Sequence, residues 1–435
     1  MPENQDNNWD HCLRHASISD VGVRRANNQD NLAVVLADGQ TTWQKRGHLF
    51  LVADGMGAHA AGELASKMAA DLIPLTYHKQ QQLSPPEAIL NATVEANARI
   101  HARGQASSDF HGMGTTGTAL VLLPRGAILA HVGDSRAYRL RGNRLEQLTF
   151  DHSLVWELRK AGNLSDEEVP GYVGKNVITR SLGPNETVDV DLEGPHPILV
   201  GDTFLLCSDG LTGQVEDEEL GTILMCLPPE EAVHSLVDLA NLRGGPDNIT
   251  IIVARVTGPH IAHGTSNGEP PPEGPNVQPV NPLIWALLGV AALGSGVLAV
   301  LGSLWGALFG LIAAVIIGAI AATLRYGGPP KPRFEHAKRG QGPYSATTCG
   351  ATRDFANSLH ELVRQLRDGA TREQWDVDLE QFDRLAARGD QAAGEGDFAA
   401  AVADRLRAIR FVMDDLKQRR RAGTASKRGP DSALD

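Results

Sequence analysis

The sequence predicts an α+β fold class for its first 257 residues, followed by an apolar helical hairpin and a small all-α tail. Three observations carry this. Up to residue 257, strand-length apolar runs alternate with helical stretches at hairpin-like spacing. Residues 283–324 form a run of 42 without one charged residue. Between residues 350 and 421, apolar residues recur in three stripes at helical spacing.

The elements follow in order. Strand candidates are NLAVVLA, HLFLVA, TALVLLP, AILAHV, AYRLRGNRLEQL, DTFLLC and NITIIVARV. Helix candidates are GELASKMAADLIPL, PPEAILNATVEANARIHARG, SLVWELRKAG and PEEAVHSLVDLANLR. Their short separations favour antiparallel pairing over a βαβ winding. Residues 258–282 hold glycines and prolines without apolar periodicity, the composition of a linker. As one helix, residues 283–324 would run ~63 Å, about twice a bilayer core. Two transmembrane helices, about 283–301 and 304–324, fit that length better. Gly302, Gly306, Gly310, Ala314 and Gly318 would line a close-packing face. Arg325, Lys331, Arg333, Lys338 and Arg339 follow in a basic linker, 325–349. This charge bias places the tail, and with two spans the first domain as well, on the cytoplasmic side of a cell membrane. The polar start, MPENQDNNWDHCLRH, lacks the apolar core of an export signal and agrees. Residues 350–421 read as a helical bundle and 422–435 as a disordered tail.

Charge narrows the function. Residues 1–257 carry 20 Lys+Arg against 33 Asp+Glu, and residues 258–435 carry 20 against 19. A front half with net charge −13 is a poor nucleic-acid binder. The four cysteines (Cys12, Cys207, Cys226, Cys349) have no metal-ligand spacing and read as reduced thiols.

Four aspartates mark the ends of apolar runs: Asp54 in HLFLVADGMG, Asp134 in ILAHVGDSRAYRL, Asp209 in DTFLLCSDGL and Asp247 in GGPDNITIIVARV. Four carboxylates on one sheet rim cannot all stay ionised without cations, and hard oxygen ligands suit Mg²⁺ or Mn²⁺. The residues themselves therefore point to a metal-dependent hydrolase.

The motifs form an ordered set: RRANNQDN, VADGMG, GTT, VGDSRAYRL, LTFDHSL, ITRSLG, CSDGL and GGPDNITIIVA. In order and spacing they resemble the bacterial metal-dependent type 2C serine/threonine protein phosphatases, over about residues 12–257. The resemblance implies a four-layer sandwich of two antiparallel sheets flanked by helices. It implies Asp54 as a carboxylate bridging two metals, the Gly55 carbonyl as a ligand of the second, and Asp209 and Asp247 as ligands of the first. Asp30 would hold metal-bound water, Asp134 would share a third metal with Asp209, and Arg25 would grip the substrate phosphate. Met56 stands where many eukaryotic members have a histidine, Ala58 replaces a common glycine, and Gln29 replaces a glutamate of some members. Residues 155–180 match the family's variable flap. The expected activity is hydrolysis of phosphoserine and phosphothreonine in proteins, with a membrane serine/threonine kinase and the lipid bilayer as partners. An inactive scaffold that binds phosphoproteins, with an unidentified protein on its helical tail, is the alternative.

Overall fold

Most central strands are apolar on both faces, and this builds the layers. Strand side chains alternate between faces with a period of two. In β3 (His48–Met56), Leu49, Leu51 and Ala53 join one core cluster while Phe50 and Val52 join another. In β10 (Thr203–Cys207), Phe204 and Leu206 face the same second cluster, and Leu205 and Cys207 face a third. Such strands read as continuous apolar runs although they pair antiparallel.

The structure is a computed structural model in which residues 12–57, 60–162, 177–258, 261, 337–340 and 342–427 are described, with side chains outside 160–162, 337–339 and 418–427. One sheet has the order β1 (Leu13–Asp20), β11 (Ile249–Val256), β10, β7 (Arg136–Arg141), β8 (Arg144–Gln147), β13 (Ser345–Thr348). The other has the order β12 (Ala337–Arg339), β9 (Val190–His196), β6 (Gly126–Val132), β5 (Gly117–Leu123), β3, β2 (Asp30–Val35), and β4 (Gly114–Thr115) pairs with the end of β3. All pairs are antiparallel except β12 on β9. The sheets share a core of Phe50, Leu120, Leu129, Phe204 and Ile252, with Trp43 of α1 (Gln40–Arg46) at its border.

Helices cover the outer faces. On the second sheet lie α2 (Ala61–Lys79) and α3 (Pro85–Gln105). Helix α3 starts where it does because Ser84 and Glu87 close a capping box with a proline in the first turn. After α4 (Leu154–Gly162) and the single turn α5 (Asp209–Thr212), helices α6 (Asp217–Cys226) and α7 (Pro229–Leu242) cover the first sheet. This is the antiparallel α+β sandwich.

The tail adds a further layer. Helices α8 (Arg353–Arg372), α9 (Leu379–Glu395) and α10 (Phe398–Lys427) bury Leu359, Val363, Phe382, Val402, Leu406 and Ile409 in the cluster that holds Leu220, Ile223, Leu236 and Leu239 of α6 and α7. Each fully buried aliphatic side chain contributes ~1.5–3 kcal/mol. The partly exposed pair Arg407–Glu231 at 2.7 Å contributes ~1 kcal/mol at most. The apolar stripe therefore holds the tail on the sandwich. Inside the segment expected to be a basic linker, β13 extends one sheet at β8 and β12 extends the other at β9.

One expectation is corrected. The apolar block 283–324, expected to be a transmembrane hairpin, lies outside the described residues, and among those residues no helix is long and apolar enough to cross a membrane. A span needs ~20 predominantly apolar residues. The long helices α2, α3, α8 and α10 carry charged residues along their length because each keeps a solvated face. The hairpin is withdrawn from the fold class. The localisation built on it, two spans in a cell membrane with both flanking domains cytoplasmic, falls with it.

Candidate metal and phosphate site

Five aspartates meet at one end of the sandwich. Asp54 ends β3, and Asp30 is its cross-strand partner at the start of β2. Asp134 lies in the turn from β6 to β7. From the other sheet, Asp209 follows β10 and opens α5, and Asp247 lies two residues before β11. The charges of Asp30, Asp209, Asp134 and Asp247 all act on Asp54.

Their mutual repulsion is large. Burial pushes the Asp54 carboxyl well above its ordinary range, and the charges of Asp30, Asp209, Asp134 and Asp247 push it further. Burial raises Asp30 to about 6 against the pull of hydrogen bonds from Ser208 and Thr250, and raises Asp134 to about 8 with Asp209 and Asp151 adding repulsion. Asp209 is raised by burial and by Asp247. Oxygen atoms of three of them, Asp30 Oδ1, Asp134 Oδ1 and Asp209 Oδ1, are buried without a hydrogen-bond partner. Buried carboxylate oxygens left unpaired at this density fit a hard divalent cation. Among the described residues, no three His, Cys, Asp or Glu side chains converge tightly enough to cage an ion unaided.

The backbone explains the Asp-Gly pairs. A Cβ on Gly55 would lie 2.1 Å from the Gly62 carbonyl oxygen in the first turn of α2. A Cβ on Gly210 would lie 2.0 Å from the Asn248 carbonyl oxygen. Both glycines admit a backbone approach that any side chain would block.

Arg25 donates to Asp247 Oδ2 at 2.7 Å and to the Pro246 carbonyl at 3.3 Å, with its side chain half exposed at the mouth of the site. The structure thus brings together Arg25, Asp30, Asp54, Gly55, Asp134, Asp209 and Asp247. Met56 directly follows Gly55 in β3, whereas residues 58 and 59 and most of the expected flap lie outside the described residues.

The sequence reading undervalued four holders. Asn248 is buried and clamps the Arg25 loop: its Oδ1 accepts from the Gln29 N–H at 2.8 Å, and its Nδ2 donates to the carbonyls of Val21 and Asn27 at 3.0 Å each. Thr115 and Thr116 pin the backbone of Asp54, the Thr116 hydroxyl accepting from its N–H at 2.8 Å and the Thr115 hydroxyl donating to its carbonyl at 2.9 Å. Ser208 donates to Asp30 Oδ2 at 2.7 Å. Asn248 and Ser208 were signalled by adjacency to a site aspartate in DN and CSD, whereas Thr115 and Thr116 lie about 60 positions from the Asp54 that they pin.

A pH dependence follows for the metal-free protein. A carboxylate raised in the folded state binds more protons there than in the unfolded chain, so stability falls as pH rises from the unfolded value near 4 to the folded value. The loss from Asp30 runs to about pH 6 and that from Asp134 to about pH 8. In EDTA the melting temperature should fall between pH 5 and 8, and saturating Mn²⁺ should flatten the slope; thermal denaturation at a series of pH values measures both.

Comparisons with known proteins identify the family. The sequence profile described as Protein phosphatase 2C matches residues 23–239. The chain is 38% identical over 239 residues to the protein phosphatase PhpP of Streptococcus pneumoniae serotype 2, covering 54% of this chain and 94% of that one. It is 38% identical over 246 residues to the serine/threonine phosphatase stp of Listeria monocytogenes serotype 4b, covering 55% and 94%. The solved S. agalactiae serine/threonine phosphatase superposes with a TM-score of 0.50 at 36% identity, covering 56% of this chain and 99% of that one.

Proposed function

The chain belongs to the protein phosphatase 2C family, and from that premise we propose how its residues divide the work of a protein serine/threonine phosphatase. It is a metal-dependent phosphoprotein phosphatase with Mn²⁺ or Mg²⁺ as cofactor. Asp54, the Gly55 carbonyl, Asp209 and Asp247 would hold two cations, Asp30 would hold metal-bound water, and Asp134 together with Asp209 would take a weaker third ion. Bound divalent cations supply an activated water and charge neutralisation for in-line attack at phosphorus. Arg25 grips the phosphoryl oxygens with its planar donor fork, leaving Asp247 to the cation. Asn248 keeps that arginine loop in place. The carrying observation is the five-aspartate cluster with three orphaned buried oxygens.

Substrates are phosphoserine and phosphothreonine proteins, opposed by a serine/threonine kinase acting on the same side chains. The tail gives no support to a scaffold reading, because its apolar stripes are covered by α6 and α7 of the same chain.

The test is phosphate release from a phosphothreonine peptide by the full chain. Turnover is expected with Mn²⁺, with none in EDTA and none from Asp209→Asn with Mn²⁺. A folded chain that binds the peptide but releases no phosphate with either metal would overturn the enzyme reading.

A further inference from the structure

The stretch between β12 and β13 crosses from one sheet to the other beside the segment Phe150–His152. The Gly340 N–H donates to the Leu192 carbonyl and the Tyr344 N–H to the Gln147 carbonyl, each at 2.9 Å. Glu193 on β9 accepts from the Tyr344 hydroxyl at 2.5 Å and from the Gly342 N–H at 3.2 Å. The Tyr344 ring packs on Phe150 with centroids 5.4 Å apart, and Phe150 meets Trp156 of α4 edge-on at 5.2 Å.

The same segment holds the Asp134 turn on both sides. Before Asp134, the Gly133 N–H donates to His152 Nδ1 at 3.0 Å, and the His152 N–H donates to the Gly133 carbonyl at 2.7 Å. After it, Arg136 donates from Nε to both oxygens of Asp151 at 3.0 and 2.8 Å, and its guanidinium lies 5.8 Å from the Trp156 ring centroid. Behind it, His131 Nε2 donates to the Phe150 carbonyl at 2.9 Å. A segment of three residues thus grips the turn at Gly133 and Arg136 and is itself gripped by Tyr344.

We propose that Tyr344 is a positioning residue of the phosphatase centre: by packing on Phe150 it fixes the Phe150–His152 segment and, through Asp151 and His152, the turn that carries Asp134. The proposal rests on the reading of Asp134 as part of the metal centre. It gives the C-terminal segment, which lies beyond the family match at residues 23–239, a direct part in shaping the site. Aromatic edge contacts of this kind are worth enough to shift a local opening equilibrium by roughly two- to tenfold.

The experiment is hydrogen exchange, read by mass spectrometry, on the full chain and its Tyr344→Ala and Tyr344→Phe variants, with Mn²⁺-dependent phosphate release measured in parallel. Tyr344→Ala should speed exchange in peptides covering residues 130–138 and 148–157 by roughly two- to tenfold. The Mn²⁺ concentration for half-maximal rate should rise by a similar factor, with kcat at saturating Mn²⁺ less affected. Tyr344→Phe keeps the ring and should restore both. Unchanged exchange at 130–138 in a folded Tyr344→Ala chain, or equal damage from Tyr344→Phe, would overturn the proposal. If Tyr344→Ala does not fold, Tyr344→Leu replaces it in the same comparison. Asp134→Asn separates the two layers: if it leaves the Mn²⁺ dependence unaltered while Tyr344→Ala still speeds exchange, the reading of Asp134 fails and the mechanical link stands.

Discussion

Asp54→Asn should abolish metal-dependent phosphate release while making the metal-free protein more stable. Asp54 is the one carboxylate whose charge is opposed by all four of the others, after burial itself. Replacing it with an isosteric amide removes that repulsion, so the melting temperature in EDTA should rise. The same change removes the oxygen expected to bridge two cations. Groups that stabilise transition-state charge in such sites are worth roughly 10²–10³ in rate, so the loss should reach at least that range. The measurement pairs initial rates on a phosphothreonine peptide with melting curves in EDTA and in Mn²⁺. An active variant would remove Asp54 from the metal site. An inactive variant that is also less stable in EDTA would show that the cluster is not strained, and the orphaned oxygens would need another account.

Leu406→Ala should destabilise the catalytic region although it lies far outside the family match. Leu406 on α10 is fully buried in the cluster that contains Leu220, Leu236 and Ile251. Truncating such a leucine costs ~2–5 kcal/mol, depending on how far the site collapses. For a unit of this size the melting temperature should drop by on the order of 10 °C. Loss of phosphatase activity on heating should follow the same shifted transition, because the tail and α7 share one core. Were the tail an independent bundle, activity would survive to the wild-type temperature. A chain truncated after residue 257 would expose the α6 and α7 face and makes a poor stand-in for the enzyme.

Much of the site was legible because its chemistry is local in sequence. Each aspartate of the cluster ends or precedes an apolar strand and is flagged by an adjacent glycine or asparagine, so Asp54, Asp209 and Asp247 could be singled out one by one. Their convergence could not. Asp30 and Asp54 face each other through the β2–β3 register, while Asp209 and Asp247 arrive from the opposite sheet. The Asn248 clamp was missed because its three partners are backbone atoms of Val21, Asn27 and Gln29, more than 200 positions away, and backbone atoms leave no mark on composition.

The tail shows the same divide. The apolar stripes through Leu359, Phe382 and Leu406 were visible, since helical periodicity states which face is apolar. Periodicity does not state what covers that face, and the cover is α6 and α7 rather than the tail alone. The strap strands β12 and β13 gave no signal, because short edge strands are held by ladder hydrogen bonds that any sequence can make. The transmembrane expectation rested on local hydropathy alone, and no described helix is long and apolar enough to cross a membrane. The sequence by itself determined most of the strands though not β1 or β9, the carboxylate chemistry and the family, because apolar runs and motifs are each written within a few neighbouring residues. Only the tertiary structure decided that both sheets deliver the carboxylates to one end, that the tail completes the catalytic core and that Tyr344 reaches the Asp134 turn, because these depend on pairings between residues far apart in the chain.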